Sequence, residues 1–511
     1  MRYEDLPERL NVADYFVDRN LAEGRGGATA LLTEAGPTTY AELAALVNRI
    51  GNVLRELGVR RGDRVLLALS DGVEFVATWY AAQKIGAVTA EVYTFLPAKD
   101  YRYFLDYTGA NVVVVDPVTL QRMREASGGA HTLLVVGGTE PRAGEHDLHA
   151  LAAQAPDTLE AAPTTKDDVA IWKFTTGSTG APKACVHTAA SPVLSHHGYA
   201  RGVLDLGPDD VVLPVPKLFF GYARDLAALY PFGVGGAGIA FPERTTADRI
   251  FELIARHRPT ILVNVPTMMS SMVAHPEAST QDLSSLRLCT SAGEALPAEL
   301  HRKWDAAFGV EVVDGIGSSE AYHIYISNRP GAPRQGTCGQ AVPGYAARVV
   351  SPEGGELPDG EVGTLEVTGG TVAKEYYRDP EKSAATYRGD TVHTGDLFSR
   401  DADGFFTYHG RADDLLKVGG IWVAPSEIEH CLIGHPDVVE CGVVGHETDG
   451  LVRTRAYVVL REGAAGDAEG LREYVGTWLS GHKRPHEVVF VTELPRTSNG
   501  KLDRRALKVL A

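Results

Sequence analysis

Apolar positions recur with two different spacings in the first half of the chain. Leu43, Leu46, Val47, Ile50, Val53, Leu54 and Leu57 share one face of a 3.6-residue helix. Thr39-x-x-Glu42 supplies a capping box at its start, and Gly58 stops it. Short continuous runs follow: RVLLALS (64–70), AVTAEV (87–92), NVVVVD (111–116), TLLVVG (132–137), VAIWKF (169–174) and TILVNV (260–265). Such runs predict strands covered on both faces. Helical stretches fall between them, at Val73–Ile85 and around Ile250, Leu253 and Ile254 before Pro259. This alternation predicts mostly parallel sheets with helices on both sides.

From Gly360 to Tyr408 the texture changes to short strands and turns, such as GTLEVTGG and FFTYHG, which predicts antiparallel or barrel-like structure. After GRADD (410–414) mixed strand and helix signals return, including RAYVVL (455–460), Leu471–Leu479 and VVFVTEL (488–494). A domain boundary is expected at 410–414.

The chain has 511 residues, which is room for about three domains, and ordinary contents of hydrophobic (44%) and charged (23%) residues. The formal net charge of −17 argues against a dominant nucleic-acid backbone binder. The most apolar long segment, Val211–Phe241, is interrupted by Lys217, Arg224 and Asp225, so no membrane span is expected. The start MRYEDLPERL carries acids where a secretory leader needs basic and then apolar residues. Five scattered cysteines (185, 289, 338, 431, 441) without CxxC spacing read as buried reduced thiols, and the expected location is cytoplasmic.

The strongest local chemistry is Thr175-Thr176-Gly177-Ser178-Thr179-Gly180-Ala181-Pro182-Lys183, directly after a buried strand. Glycines free backbone N–H groups to point at a phosphate, hydroxyls can donate, and Lys183 adds charge. A Walker A loop cannot be laid on it. Gly233-x-Gly235-x-x-Gly238 fits the dinucleotide pattern, but a helix-like stretch precedes it and the strand-like IAFP follows. That order is the reverse of what the pattern needs, so a nicotinamide oxidoreductase is rejected. His196-His197 and His323 lack metal-ligand spacing, and the adjacent pair reads as surface or packing histidines.

TTGSTGAPK resembles the phosphate loop of the adenylate-forming superfamily, which includes acyl- and aryl-CoA synthetases, peptide-synthetase adenylation domains and luciferases. Further motifs follow in family order. KLFFGYA (217–223), SAGEALP (291–297) and DGIGSSEAYHI (314–324) look most like the benzoate–CoA ligase branch. The resemblance implies an α/β fold: a large N-terminal domain (1–410) of doubly wound sheets plus a small β-barrel-like part, a hinge (411–414) at Asp413, and a small mobile α+β C-terminal domain (415–511).

The resemblance also implies roles residue by residue. Thr175, Thr176, Gly177, Ser178, Thr179, Gly180 and Lys183 would hold ATP phosphates. Gly293, Glu294 and Ala295 would sandwich adenine against Asp314, Gly315, Ile316 and Gly317, with Ile316 where the family often has Tyr. Ser319 would contact the α-phosphate and Glu320 would hold Mg2+. Asp396 would take the ribose hydroxyls, and Arg411 ribose or phosphate. Lys501, in PRTSNGK (495–501), would be the adenylation lysine, and Lys417 would serve the second half-reaction. Gly419 and Gly420 would line a tunnel for CoA. The acid pocket would be walled by Phe220, Gly221, Tyr222, Ala292, His323 and Ile324. Gly221 replaces a larger residue of that branch, which implies a deeper pocket for an aromatic or bulky cyclic acid.

The implied reaction couples ATP, a carboxylic acid and CoA through an acyl-AMP, with AMP and pyrophosphate as products. One alternative is an enzyme that passes the acyl-AMP to a carrier protein or partner enzyme. Another is a non-catalytic nucleotide-binding sensor, disfavoured by the presence of Lys501, Glu320 and Asp396. Monomer and homodimer both remain open.

Overall fold

A computed structural model describes residues 1–137, 141–175, 182–418, 421–448, 451–461, 463–496 and 502–510. Thr176, Gly177, Ser178, Thr179, Gly180, Gly419, Gly420 and Lys501 lie outside the described residues, as does the side chain of Lys417.

The short apolar runs become strands of two large sheets. One has the order Glu145–Asp147, Thr132–Val135, Val112–Val115, Arg64–Ala68, Val88–Glu91, Val169–Thr175, Lys183–Thr188. Its pairings are parallel except the last, where Lys183–Thr188 turns back against Val169–Thr175. The second has a parallel centre formed by Ala237–Ile239, Val211–Pro214, Ile261–Asn264, Leu288–Ser291 and Val312–Gly317. On one side the antiparallel strands Ile324–Ser327 and then Gln340–Ala341 follow, and on the other, beyond the parallel strand Thr29–Thr33, the antiparallel strand Gly36–Thr39.

The capping box forms as the spacing predicts. Thr39 and Glu42 bond reciprocally at the start of helix Tyr40–Glu56, which buries Leu43, Val47, Ile50 and Leu54. Helix Val73–Lys84 is buried along most of its length because it is sandwiched between the sheets, and Trp79 and Tyr80 sit in the shared core. The Gly233–Gly238 segment follows helix Gly221–Ala228 and leads into strand Ala237–Ile239, an order that fits no dinucleotide site.

The change of texture expected from Gly360 to Tyr408 falls within a five-stranded antiparallel sheet among the described residues, which begins earlier than that reading placed it. It runs from Tyr345–Val350 to Phe406–Arg411. Beyond it, strands Val438–Thr448, Leu451–Leu460 and Glu487–Phe490 form a separate small sheet. Val423, Ile428, Leu432, Val443, Val458 and Val475 give this unit its own core. The result is a large N-terminal domain and a smaller C-terminal one.

All five cysteines are free; Cys185, Cys289 and Cys441 are buried, whereas Cys338 and Cys431 are partly exposed. No described helix is long and apolar enough to cross a membrane.

Candidate functional site

Several motifs lie at the C-terminal ends of parallel strands in the two large sheets: Thr175 ends Val169–Thr175, Ser291 ends Leu288–Ser291 and Gly317 ends Val312–Gly317. Thr175 pairs with Lys183 across the antiparallel turn-back, so both ends of the small-residue segment leave one sheet edge. Lys183 Nζ lies 3.5 Å from Asp379 Oδ2 and 5.3 Å from the centre of the Tyr376 ring. Tyr376 OH donates to Glu320 Oε1 at 2.8 Å, and Ala373 N–H to Glu320 O at 2.8 Å. His187 Nε2 lies 2.7 Å from Ser319 O. Burial pushes the His187 imidazole down to about 3, so the ring is neutral and Nε2–H is the donor. Lys183 and the Ser319-Glu320 pair therefore sit on neighbouring walls.

The nucleotide motifs follow from strand register. Ser291 stands opposite Asp314 in parallel strands, so Ala292–Ala295 and Gly315–Gly317 occupy adjacent strand ends. Gly293 adopts φ +87°, a left-handed conformation that favours glycine. The Glu294 carboxylate accepts from Thr267 N at 3.0 Å and Thr267 Oγ1 at 2.7 Å. It thereby anchors the first turn of helix Pro266–Val273. Ile316 is partly buried against the apolar cluster that holds Tyr325 and Phe398. Asp314 is buried, which pushes its carboxyl up to about 8 against an opposing contribution from Ser291. Its Oδ1 has no hydrogen-bond partner among the described residues.

Asp396 and Arg411 face each other across an antiparallel pair, with Arg411 Nη1 3.2 Å from Asp396 Oδ1 and 3.2 Å from Thr394 O. Burial raises the Cys338 thiol well above its usual range, and the Asp314 and Asp396 carboxylates add to this. Asp413 Oδ2 lies 3.9 Å from Arg411 Nη2. Arg504 joins this segment to the small domain, 3.4 Å from Asp414 Oδ2 and donating to Glu429 Oε2 at 2.8 Å.

The expected acid-pocket residues are also brought together. Helix Gly221–Ala228 starts just after Phe220, whose ring packs on Phe219 and Tyr93. Tyr222 OH lies 2.7 Å from Thr290 Oγ1, and His323 Nε2 lies 3.3 Å from Tyr222 O. Tyr199, Tyr222 and Tyr230 surround the His323 ring. Burial pushes His323 down to about 3, with a smaller opposing contribution from Asp225. Ala292 and Ile324 are buried beside them. One expectation is corrected: the side-chain space at Gly221 is not open. A Cβ there would lie 2.6 Å from Lys173 Nζ and 2.8 Å from Lys173 Cε, because the lysine fills it.

That lysine belongs to a buried charge network that the motif reading missed. Lys173 Nζ donates to Asp225 Oδ2 at 2.7 Å and to Tyr322 O at 2.6 Å, and sits 3.6 Å from the centre of the Tyr322 ring. Arg224 Nη2 donates to Asp225 Oδ1 at 2.8 Å, and Nη1 pairs with Glu91 Oε1 at 2.8 Å. The Trp79 indole N–H also donates to Glu91. Burial works to raise the Asp225 carboxyl, but Arg224 and Lys173 prevail and hold it at about 2. Tyr322, whose carbonyl Lys173 binds, has φ +75°, a strained value for a bulky residue. The available sequence signal was a pair of charges, Arg224-Asp225, inside an apolar stretch.

Comparison with known proteins agrees with this geometry. Residues 18–377 match the family of AMP-binding enzymes, and residues 427–501 match the AMP-binding enzyme C-terminal domain. The chain is 42% identical to the benzoate–CoA ligase of Thauera aromatica, over 98% of this chain and 96% of that protein. It is 38% identical to a 4-hydroxybenzoate–CoA/benzoate–CoA ligase of Rhodopseudomonas palustris, over 98% and 94%. Among solved structures, an anthranilate CoA ligase in complex with anthranoyl-AMP superposes with a TM-score of 0.95 at 36% identity, over 99% and 98% of the two chains. A benzoate CoA ligase from Burkholderia xenovorans LB400 gives a TM-score of 0.91 at 38% identity, over 98% and 99%. With its motifs gathered at one junction and its whole length aligned to such enzymes, this chain belongs to the AMP-binding, adenylate-forming enzyme family.

Proposed function

We propose that the protein is an AMP-forming ligase that joins an aromatic carboxylic acid to CoA. The observation that carries this reading is the turn from Ser319 to Ile324. Within six residues it presents Glu320 to the Lys183 side and His323 and Ile324 to the Tyr222 side. A carboxylate leaving the aromatic wall would therefore meet phosphate oxygens held by the other wall. Relatives named as benzoate–CoA and anthranilate–CoA ligases support the choice of acid.

In the first step a carboxylate oxygen of the acid attacks the α-phosphorus of ATP, the bond to the bridging oxygen breaks, and pyrophosphate leaves. The segment 175–183 and Ser319 position the phosphates, Asp396 and Arg411 the ribose, and Lys501 the developing negative charge. In the second step the sulfur of CoA attacks the acyl carbon and AMP departs. Lys417, Gly419 and Gly420 serve that step, brought in by rotation about 411–414. The acceptor CoA, the hinge at Asp413 and the domain limits 1–410 and 415–511 are part of this proposal.

Glu320 fits a Mg2+ ligand, since Tyr376 fixes one carboxylate oxygen and the group is only partly buried. Among the described residues no cluster of three or more His, Cys, Asp or Glu could cage a metal. Mg2+ in nucleotide sites is commonly held by one or two carboxylates together with substrate phosphates and water. When bound, Mg2+ would offset phosphate charge.

The reading is tested by measuring pyrophosphate release with a panel of acids. Benzoate-type acids should support turnover, whereas amino acids and short aliphatic acids should give rates lower by about 100-fold. Activity confined to amino acids would defeat the proposal.

Asp314 offers a second test. Its orphaned Oδ1 is an acceptor suited to the exocyclic amino group of adenine. A carboxyl held near 8 carries its proton at pH 7. A hydrogen bond from adenine favours the ionised form, so AMP binding should release a proton near pH 7. Calorimetry in buffers of different ionisation enthalpy should show this release in the wild type and lose it in Asp314→Asn. Equal proton release in both would remove Asp314 from the adenine site.

A further inference from the structure

Residues 373–377 hold two separate walls of the site together. On one side the segment bonds as an added strand to Lys183–Thr188. Lys374 N–H donates to Val186 O at 2.9 Å, Val186 N–H to Glu375 O at 3.0 Å, and Tyr377 N–H to Ala184 O at 2.9 Å. On the other side Ala373 N–H donates to Glu320 O at 2.8 Å. Thr371 Oγ1, just before the segment, donates to Ala321 O at 2.8 Å. The backbone that carries Lys183 and the turn that carries Glu320 are thus stitched to one short piece of chain.

Tyr376 repeats this link with its side chain. Its ring faces Lys183 Nζ, 5.3 Å from the ring centre, and its OH donates to Glu320 Oε1 at 2.8 Å. Packing accounts for the ring but not for the hydroxyl. Tyr376 is 6% exposed, and its ring lies against that of Tyr387 with centres 5.0 Å apart. A phenylalanine would fill the same space. Glu320 is only partly buried, so water can satisfy Oε1 without a protein donor. What the hydroxyl adds beyond solvent is direction. A glutamate side chain free to move samples several rotamers, whereas one bonded through Oε1 is held in a single orientation. Its other oxygen, Oε2, has no hydrogen-bond partner among the described residues.

We infer that Tyr376 is a positioning residue whose hydroxyl orients the Glu320 carboxylate so that Oε2 is presented to Mg2+. This rests on the assignment of Glu320 to Mg2+ above. Groups that orient a metal-binding side chain contribute about 10- to 100-fold to metal affinity. Because 373–377 also carries the strand of Lys183, the bond fixes the metal carboxylate relative to the lysine that faces the same phosphates.

The test measures ATP binding by calorimetry in the absence of acid and CoA, once in saturating Mg2+ and once in EDTA. Tyr376→Phe keeps the ring and its packing. It should weaken ATP binding in Mg2+ by about tenfold or more, and change it by about twofold or less in EDTA. Glu320→Gln should weaken binding in Mg2+ at least as much. In EDTA it should not weaken binding, because a negative charge near the phosphates has gone. In the Glu320→Gln background, Tyr376→Phe should add about twofold or less, since no metal-binding carboxylate is left to orient. A tyrosine that matters only for structure would shift binding alike in both conditions, or add its full loss in the double variant. Either result overturns the inference, as does a Tyr376→Phe protein that fails to fold. A loss in Glu320→Gln with none in Tyr376→Phe sinks the inference alone. Wild-type binding in Mg2+ by Glu320→Gln sinks the assignment of Glu320 and the inference with it, while the acid panel still decides the ligase reading.

Discussion

Lys501→Ala is expected to lower pyrophosphate release by about 100- to 1,000-fold while sparing the reaction of preformed acyl-AMP with CoA. An ammonium beside the α-phosphate matters most when charge builds on the attacking and leaving oxygens. It has no such task once pyrophosphate has gone. Lys417→Ala should show the reverse: adenylation retained and thioester formation slowed by a factor of about 100. The two half-reactions are measured separately, by pyrophosphate release without CoA and by thioester formation from synthetic acyl-AMP. Equal loss of both steps in Lys501→Ala would show that its role is not confined to the first. If Lys417→Ala behaved like Lys501→Ala, the exchange of lysines by domain rotation would have no support.

The largest effect on stability is expected at Asp225. It is fully buried between Lys173 and Arg224, with Glu91 as the remaining anion. Asp225→Asn keeps the shape but leaves two buried cations facing one carboxylate. Removing one partner of a buried ion pair costs about 3–5 kcal/mol. Adding Lys173→Met restores the balance, because Arg224 and Glu91 then pair alone, and should recover at least half of the loss. Denaturant midpoints of the two single variants and the double variant form the cycle that measures this coupling. A loss below about 1 kcal/mol in Asp225→Asn, or simple addition in the double variant, would mean that the network is not acting as a unit.

How much of this was legible beforehand follows from what local sequence encodes. Apolar runs at 112–115 and 261–264 could form little other than covered strands, and the Thr39–Glu42 box fixed a helix start. The segment 175–183, the Ser319-Glu320 pair and Asp396 stood out as candidates because each lies in a recognisable run of residues, Thr394-Gly395-Asp396 for the last. The antiparallel turn-back at Lys183–Thr188 was not, since strand direction depends on partners rather than on residue pattern. Arg224 and Asp225 looked merely like interruptions of an apolar segment. Their partners, Glu91 and Lys173, are supplied by strands of the other large sheet and could be identified only after folding. The same blindness produced the error at Gly221, where an absent side chain suggested empty room. Tyr376 and Asp379, which flank Lys183 and Glu320, likewise carry no motif of their own.

The central claim is that one junction of two sheets brings an aromatic carboxylate, the α-phosphate of ATP and the thiol of CoA into a single sequence of reactions. The most direct measurement incubates the wild-type protein with ATP, Mg2+, benzoate and CoA as the sole thiol, and quantifies products by mass spectrometry. The account predicts aroyl-CoA, AMP and pyrophosphate in equal amounts. ATP bound without pyrophosphate release, or acyl-AMP accumulating with no CoA ester, would contradict it.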